Sequence, residues 1–157
     1  MAGLALVAAL GCDAGDKRKP KKIIPVGPYI VLYECSHSME PWGRGGAVRN
    51  IKVDLAAKQQ ELLDYEYSGE PTPTPEPEHK PVVTPLTDSR VAAIQSAVVA
   101  ALSGGPYKQE LPVPEGTPCT LTIRDTTARE LLRLEKAYTK EPDAASELVK
   151  AVAGSVE

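Results

Sequence analysis

The chain reads as an α+β domain, with an antiparallel sheet of about five strands, one covering helix over about residues 88–103 and a short C-terminal helix. Three observations predict it. Tyr29-Ile-Val-Leu-Tyr33 is a continuous β-branched and aromatic run bounded by turn residues. Arg49 to Leu55 and Cys119 to Arg124 alternate apolar and polar side chains, the mark of half-buried strands. Asp88 to Ser103 carries Val91, Ile94, Val98, Ala101 and Leu102 at helical spacing, one apolar stripe that suits a helix laid across a sheet.

Each element follows from its residues in order. The folded body begins at Ile23, and after Pro25 and Gly27-Pro28 the Tyr29–Tyr33 run is expected as a central strand, because continuous apolar sequence needs cover on both faces. His37 to Gly46 reads as a loop broken by Pro41, Gly43, Gly45 and Gly46. Arg49 to Leu55 is a strand with Ile51, Val53 and Leu55 on one side.

The next stretch supports two readings. Asp54 could cap a helix through the strong helix formers Ala56 to Glu61. Leu63, Tyr65 and Tyr67 alternate with Asp64 and Glu66 as in a strand, and a strand over about 61–67 is the expectation. Glu70 to Pro85 holds six prolines, which remove backbone donors and favour extended geometry. An exposed connector is expected there, and its composition suits a solvated spacer better than a proline-rich ligand.

The helix over 88–103 has Thr87 as N-cap, Leu86 and Val91 as a hydrophobic staple, and Gly104-Gly105-Pro106 as its stop. Tyr107 to Pro118 is a proline-punctuated loop. After the Cys119–Arg124 strand and a turn at Asp125 to Ala128, Glu130 to Tyr138 is expected to close a hairpin with Leu132 and Leu134 inward. Thr127 to Glu130 could instead open a helix as a capping box. Pro142 to Ala153 is a short amphipathic helix with Pro142 near its first position and Ala145, Leu148, Val149 and Val152 on one side. With no Phe and one Trp, the core must come from Val, Leu, Ile, Ala and Tyr.

The charge distribution excludes one class of partner. Lys17, Arg18, Lys19, Lys21 and Lys22 cluster ahead of a body in which thirteen Lys and Arg face nineteen Asp and Glu. Nucleic acid is not an expected partner of such a body, since phosphate contacts need a clustered positive face.

The N-terminus points to a compartment. Ala2 to Leu10 is uninterrupted small and apolar sequence, too short for a span of about 20 residues but of signal-peptide core length. At its end, Ala9-Leu10-Gly11-Cys12 resembles the lipobox of bacterial lipoproteins, in which the cysteine becomes the lipidated first residue of the mature chain. Gly11 and Cys12 match; Ala9 and Leu10 depart from the usual Leu and small residue, and no Lys or Arg precedes the apolar run.

The resemblance implies a signal peptide at 1–11 and a lipidated Cys12 followed by a basic tether through residue 22; the residue patterns place a single α+β domain over 23–157 with a proline-rich loop at 70–85. The resemblance also implies a bacterial cell-envelope location, membrane-anchored and facing the periplasm or cell exterior. The five cations of the tether could rest on anionic head groups, at about 1 kcal/mol each. Read without the leader, Lys-Arg-Lys-Pro-Lys-Lys would instead resemble a nuclear localisation signal.

Cys35 and Cys119 are then two cysteines in an oxidising space, each at the edge of an expected strand, and a disulfide between them is expected. Closing so long a loop would stabilise the fold by roughly 4 kcal/mol on loop entropy alone. A competing reading uses Cys35, His37 and Met39, which alternate and so share one side of an extended backbone. They loosely resemble the cysteine-histidine-methionine cluster of cupredoxins and would suit copper. The two readings exclude each other, because a disulfide sulfur is no thiolate, and without a fourth ligand no metal site and no cofactor are expected.

Catalysis has little to draw on. The histidines are His37 and His79, and His79 lies in the proline-rich connector, a poor place for a group that must be held against a substrate. Trp42 could offer a stacking surface for a sugar or peptide, or cap the core. The expected function is a non-enzymatic envelope lipoprotein that acts by binding or structural contact, with the membrane and a protein as partners. The alternative is an inhibitor of a secreted peptidase, since strands, one covering helix and a closing hairpin look similar in order to the small emfourin-type inhibitors. A copper-binding envelope protein is a third class.

Overall fold

The computed structural model describes residues 23–38, 45–68, 78–107, 119–136 and 143–154. They form six strands and two helices: β1 (Tyr29–Ser38), β2 (Gly45–Asp54), β3 (Gln59–Ser68), β4 (Val82–Pro85), α1 (Asp88–Ser103), β5 (Cys119–Asp125), β6 (Glu130–Lys136) and α2 (Ala144–Ala153). The sheet has the order β4-β3-β2-β1-β5-β6, and every neighbouring pair is antiparallel. The α+β class is therefore as expected, with β1 beside the sheet's centre. The added strand is β4, which falls in the stretch expected to be a connector. Its four residues pair with Gln59–Leu62, and its Pro85 ends the ladder next to α1.

Both ambiguous segments are strands, and a carboxylate at the start of each turn shows why. Asp54 Oδ1 accepts from the N–H groups of Ala56 and Ala57 at 3.0 and 2.9 Å, and Lys58 then takes a left-handed φ of 52°. Asp54 does cap a turn of chain, but the left-handed residue reverses it instead of letting it propagate as a helix. Asp125 repeats the device. Its Oδ1 accepts from Thr127 N–H, Thr127 Oγ1 and Arg129 N–H at 2.9, 2.6 and 3.0 Å, and Ala128 has a φ of 63°.

Residues directly opposite in an antiparallel ladder share a face. The ladders place Val31 beside Val53 and Ile123, and Tyr33 beside Ile51 and Leu121. That face is buried under both helices: Val31, Val53, Ile123, Ile94, Val98, Leu148 and Val152 are all fully enclosed in one core. Each of the larger side chains contributes about 1.5–3 kcal/mol by its burial. The expected α1 stripe is the buried one except for Val91, which is only half-buried against the core. Thr87 caps α1, accepting from Arg90 N–H at 3.3 Å.

The helix α2 begins at Ala144 rather than at the proline. Asp143 is its N-cap, accepting from Ser146 N–H at 2.7 Å, and Pro142 lies outside the described residues. An Asp side chain satisfies an orphan donor of the first turn, which proline cannot do. The end of α2 returns to the start of α1, where Arg90 donates to the Val152 carbonyl at 3.4 Å. Among the described residues, no helix is long and apolar enough to cross a membrane.

The Thr127 hydroxyl, followed by the turn N–H groups and Arg129, holds the Asp125 carboxyl below the ordinary carboxylate range. A lowered carboxyl stabilises the fold above the unfolded value, near pH 4, and that contribution is lost as pH falls through the lowered one. Asp125→Ala is expected to lower stability at neutral pH and to flatten the acid side of the stability–pH curve. Chemical denaturation across that range checks it, and an unchanged acid limb would show that Asp125 does not hold the hairpin.

Candidate functional site

The two ends of the sheet are built differently. At one end the short turns at Leu55–Lys58 and Thr126–Arg129 close two hairpins tightly. At the other, β1 and β3 finish, β2 and β5 begin, and β6 runs out, so the connections 39–44, 69–77, 108–118 and 137–142 all attach there. Loops carried by a rigid scaffold are where binding surfaces concentrate. This pole, where those connections attach, is the candidate site.

Its fixed centre is the bond between Cys35 and Cys119, with the Cα atoms 4.2 Å apart and 84 residues of separation. The ladder explains why the pair can form. Leu55 N–H donates to the Tyr29 carbonyl at 3.1 Å, so alternate residues of β1 from Tyr29 onward turn their backbone groups to β2. Cys35 therefore faces Cys119 of β5 as a non-hydrogen-bonded pair, the close kind, with Cα atoms about 4.5 Å apart. The expected disulfide is present and ties the strand that enters the sheet from the long 108–118 connection to the end of β1.

Beside the disulfide on the helix-covered face stand Tyr33 and Arg49. Arg49 Nε donates to Asp64 Oδ2 at 3.0 Å across β2 and β3, an exposed pair of modest worth. Burial pushes the Tyr33 phenol above its ordinary value, and the Arg49 charge opposes that shift. The Tyr33 hydroxyl is thus a neutral donor at physiological pH rather than a candidate base.

The opposite face of the pole holds an aromatic group. Tyr65 stacks on His79 with ring centroids 4.0 Å apart and planes 9° from parallel, and Tyr67 lies 6.4 Å from Tyr65 at a tilt of 50°. The alternation in β3 places both tyrosines on one side, beside Val48 and Gly46 of β2. As a residue of the proline-rich connector, His79 was not expected to join a site. Its stacking depends on how the chain folds back after β3, for which composition carries no signal. On the same helix-free face, Arg124 Nε is buried without a hydrogen-bond partner.

The structure takes Cys35 out of the copper arrangement. The Cys35 sulfur is bonded to Cys119 and is no thiolate. His37 contributes backbone to β1, and Met39, Trp42 and Cys12 lie outside the described residues. Among the described residues, no group of His, Cys, Asp and Glu side chains converges as a metal site would. What the pole can do chemically is present a stapled, half-apolar surface with aromatic rings on one side and a charged pair on the other. No protein family, curated protein or solved structure matches this chain.

The disulfide closes a loop long enough to be worth roughly 4 kcal/mol. Reduction, or the paired change Cys35→Ala with Cys119→Ala, is expected to lower the unfolding free energy by about 2–5 kcal/mol. Thiol counting under denaturing conditions should release two thiols only after reductant. Two reactive thiols from Cys35 and Cys119 in the untreated protein would remove the staple from the account.

Proposed function

We propose that the chain is an exported, non-enzymatic binding domain of a bacterial cell envelope, held at a membrane through a lipid on Cys12, with that pole as its contact surface. The observation that carries the reading is the Cys35–Cys119 bond. It suits an oxidising compartment, and among the three cysteines of the chain it leaves Cys12, at the end of the apolar leader, as the one outside the domain. Among the described residues the first strand begins at Tyr29, which leaves residues 12–22 free to act as a tether. Attachment to a surface raises the local concentration of the domain near membrane-bound partners, so modest contacts at the pole suffice.

The direct test is intact mass and fractionation of the protein from its native host. The expected result is a mature chain starting at an acylated Cys12 in the membrane fraction, with Cys12→Ser shifting the protein out of it. A chain retaining Met1 and recovered in the cytosol would overturn compartment and anchor together.

Inhibition of a secreted peptidase is the second reading, favoured by the order of strands, covering helix and closing hairpin. Assay against a panel of secreted metallo-, serine and cysteine peptidases is expected to find one class inhibited stoichiometrically. Full activity of every member in the presence of excess protein would remove it.

A further inference from the structure

We infer that β6 is a self-pairing edge through which two copies of this chain associate as a symmetric dimer. The ladder determines which backbone groups are free. Alternate residues of β1 from Tyr29 bond to β2, so Ile30, Leu32 and Glu34 bond to Arg124, Thr122 and Thr120 of β5. Leu121 and Ile123 are left to bond Leu134 and Leu132 of β6. Arg133 and Glu135 therefore point their N–H and C=O groups away from the sheet, where no strand of the described residues meets them. Free backbone groups on an edge are a template for another strand.

The side chains select the partner. Arg133 and Glu135 stand on the same helix-free face, 53% and 70% exposed, with Arg133 Nη2 3.8 Å from Glu135 Oε1. In a two-fold antiparallel pairing each contact occurs twice. Centring that pairing on Leu134 sets Arg133 opposite the partner's Glu135 and Glu135 opposite the partner's Arg133. The outward backbone groups of these residues then exchange hydrogen bonds while their charges meet as opposites. Shifting the centre to Arg133 or to Glu135 places like charges face to face, so charge favours the Leu134-centred register over its two neighbours.

The other open edge behaves oppositely. Beyond β4, the outward residues of β3 include Asp64 and Glu66, and every two-fold register centred between or upon them opposes two acids. The sheet is thus self-avoiding at β3 and self-complementary at β6. A contact confined to one strand buries less than the ~1,200 Å² of a standard interface, so the association is weak and reversible.

Sedimentation equilibrium of the full chain over a range of concentrations tests this, whatever compartment the protein occupies. The wild type is expected to dimerise reversibly and less strongly at high salt. Arg133→Glu alone or Glu135→Arg alone should weaken the dimer by roughly tenfold or more, because each opposes like charges twice. An equimolar mixture of the two variants should recover association, since one chain then presents acids at both positions and the other presents guanidinium groups at both. The double swap R133E/E135R should recover it within one chain, and it carries the test if either single variant fails to fold. Wild type that stays monomeric throughout, single variants that associate like wild type, or a failure of both the mixture and the double swap to recover association would each overturn the proposal.

Discussion

The enclosure of Val31, Val53 and Ile123 beneath Ile94, Val98, Leu148 and Val152 is the contact from which the rest of the molecule follows. A chain without Phe cannot fill a core with a few large rings, so it uses many branched aliphatic side chains in two facing layers. Two helices are needed because one stripe cannot cover a six-stranded sheet. They run in opposite directions, with Gly104 beside Ala144 at one end and Arg90 reaching the Val152 carbonyl at the other. With one face of the sheet committed to the core, strand register is no longer free: a slip by one residue would turn Val31 and Val53 to the open side.

That commitment separates the molecule into an end closed by tight turns and an end that carries the longer connections. At the closed end, Asp54 and Asp125 each gather turn N–H groups onto a carboxylate, so the hairpins need few residues and little loop. All the longer connections are left at the other end, where the core no longer reaches and the Cys35–Cys119 bond supplies the constraint instead. The disulfide sits in the row beyond Tyr33 and Leu121, where apolar cover gives way to Arg49 and Asp64. A covalent tie is most useful in such a place, because its benefit comes from limiting the unfolded chain and does not depend on local burial.

The helix-free face follows different physics. Its ladders mix charged, polar and apolar side chains, with Lys52 beside Glu61 and Arg133 beside Glu135, and the exposed charges break up any broad apolar patch. Near the pole this pattern changes to Tyr65, Tyr67 and His79, where aromatic rings replace charges. Rings give large contact area at small entropic cost.

Much of this architecture was legible in the residues alone. Alternation at Arg49–Leu55 and Cys119–Arg124, the continuous run at Tyr29–Tyr33 and the stripe of α1 are local patterns, and burial acts on them directly. The apolar run ahead of Cys12 and the cysteine count belong to the same class, since they are properties of composition. Residues 54–67 could not be decided locally because Asp54 caps a helix and a turn with the same carboxylate; only pairing of β3 with β2 settles the matter. The strand β4 was hidden for a related reason. Proline removes donors wherever it occurs, yet an edge strand needs donors on one side only, and β3 supplies the other half of each bond. The cysteine count made the Cys35–Cys119 bond an expectation, whereas the stacking of His79 on Tyr65 and the outward turn of Arg133 and Glu135 depend on how segments far apart in the chain meet. The sequence by itself determined which residues want burial; the tertiary structure decided which backbone groups and side chains meet, because register is a relation between strands and no single strand carries it.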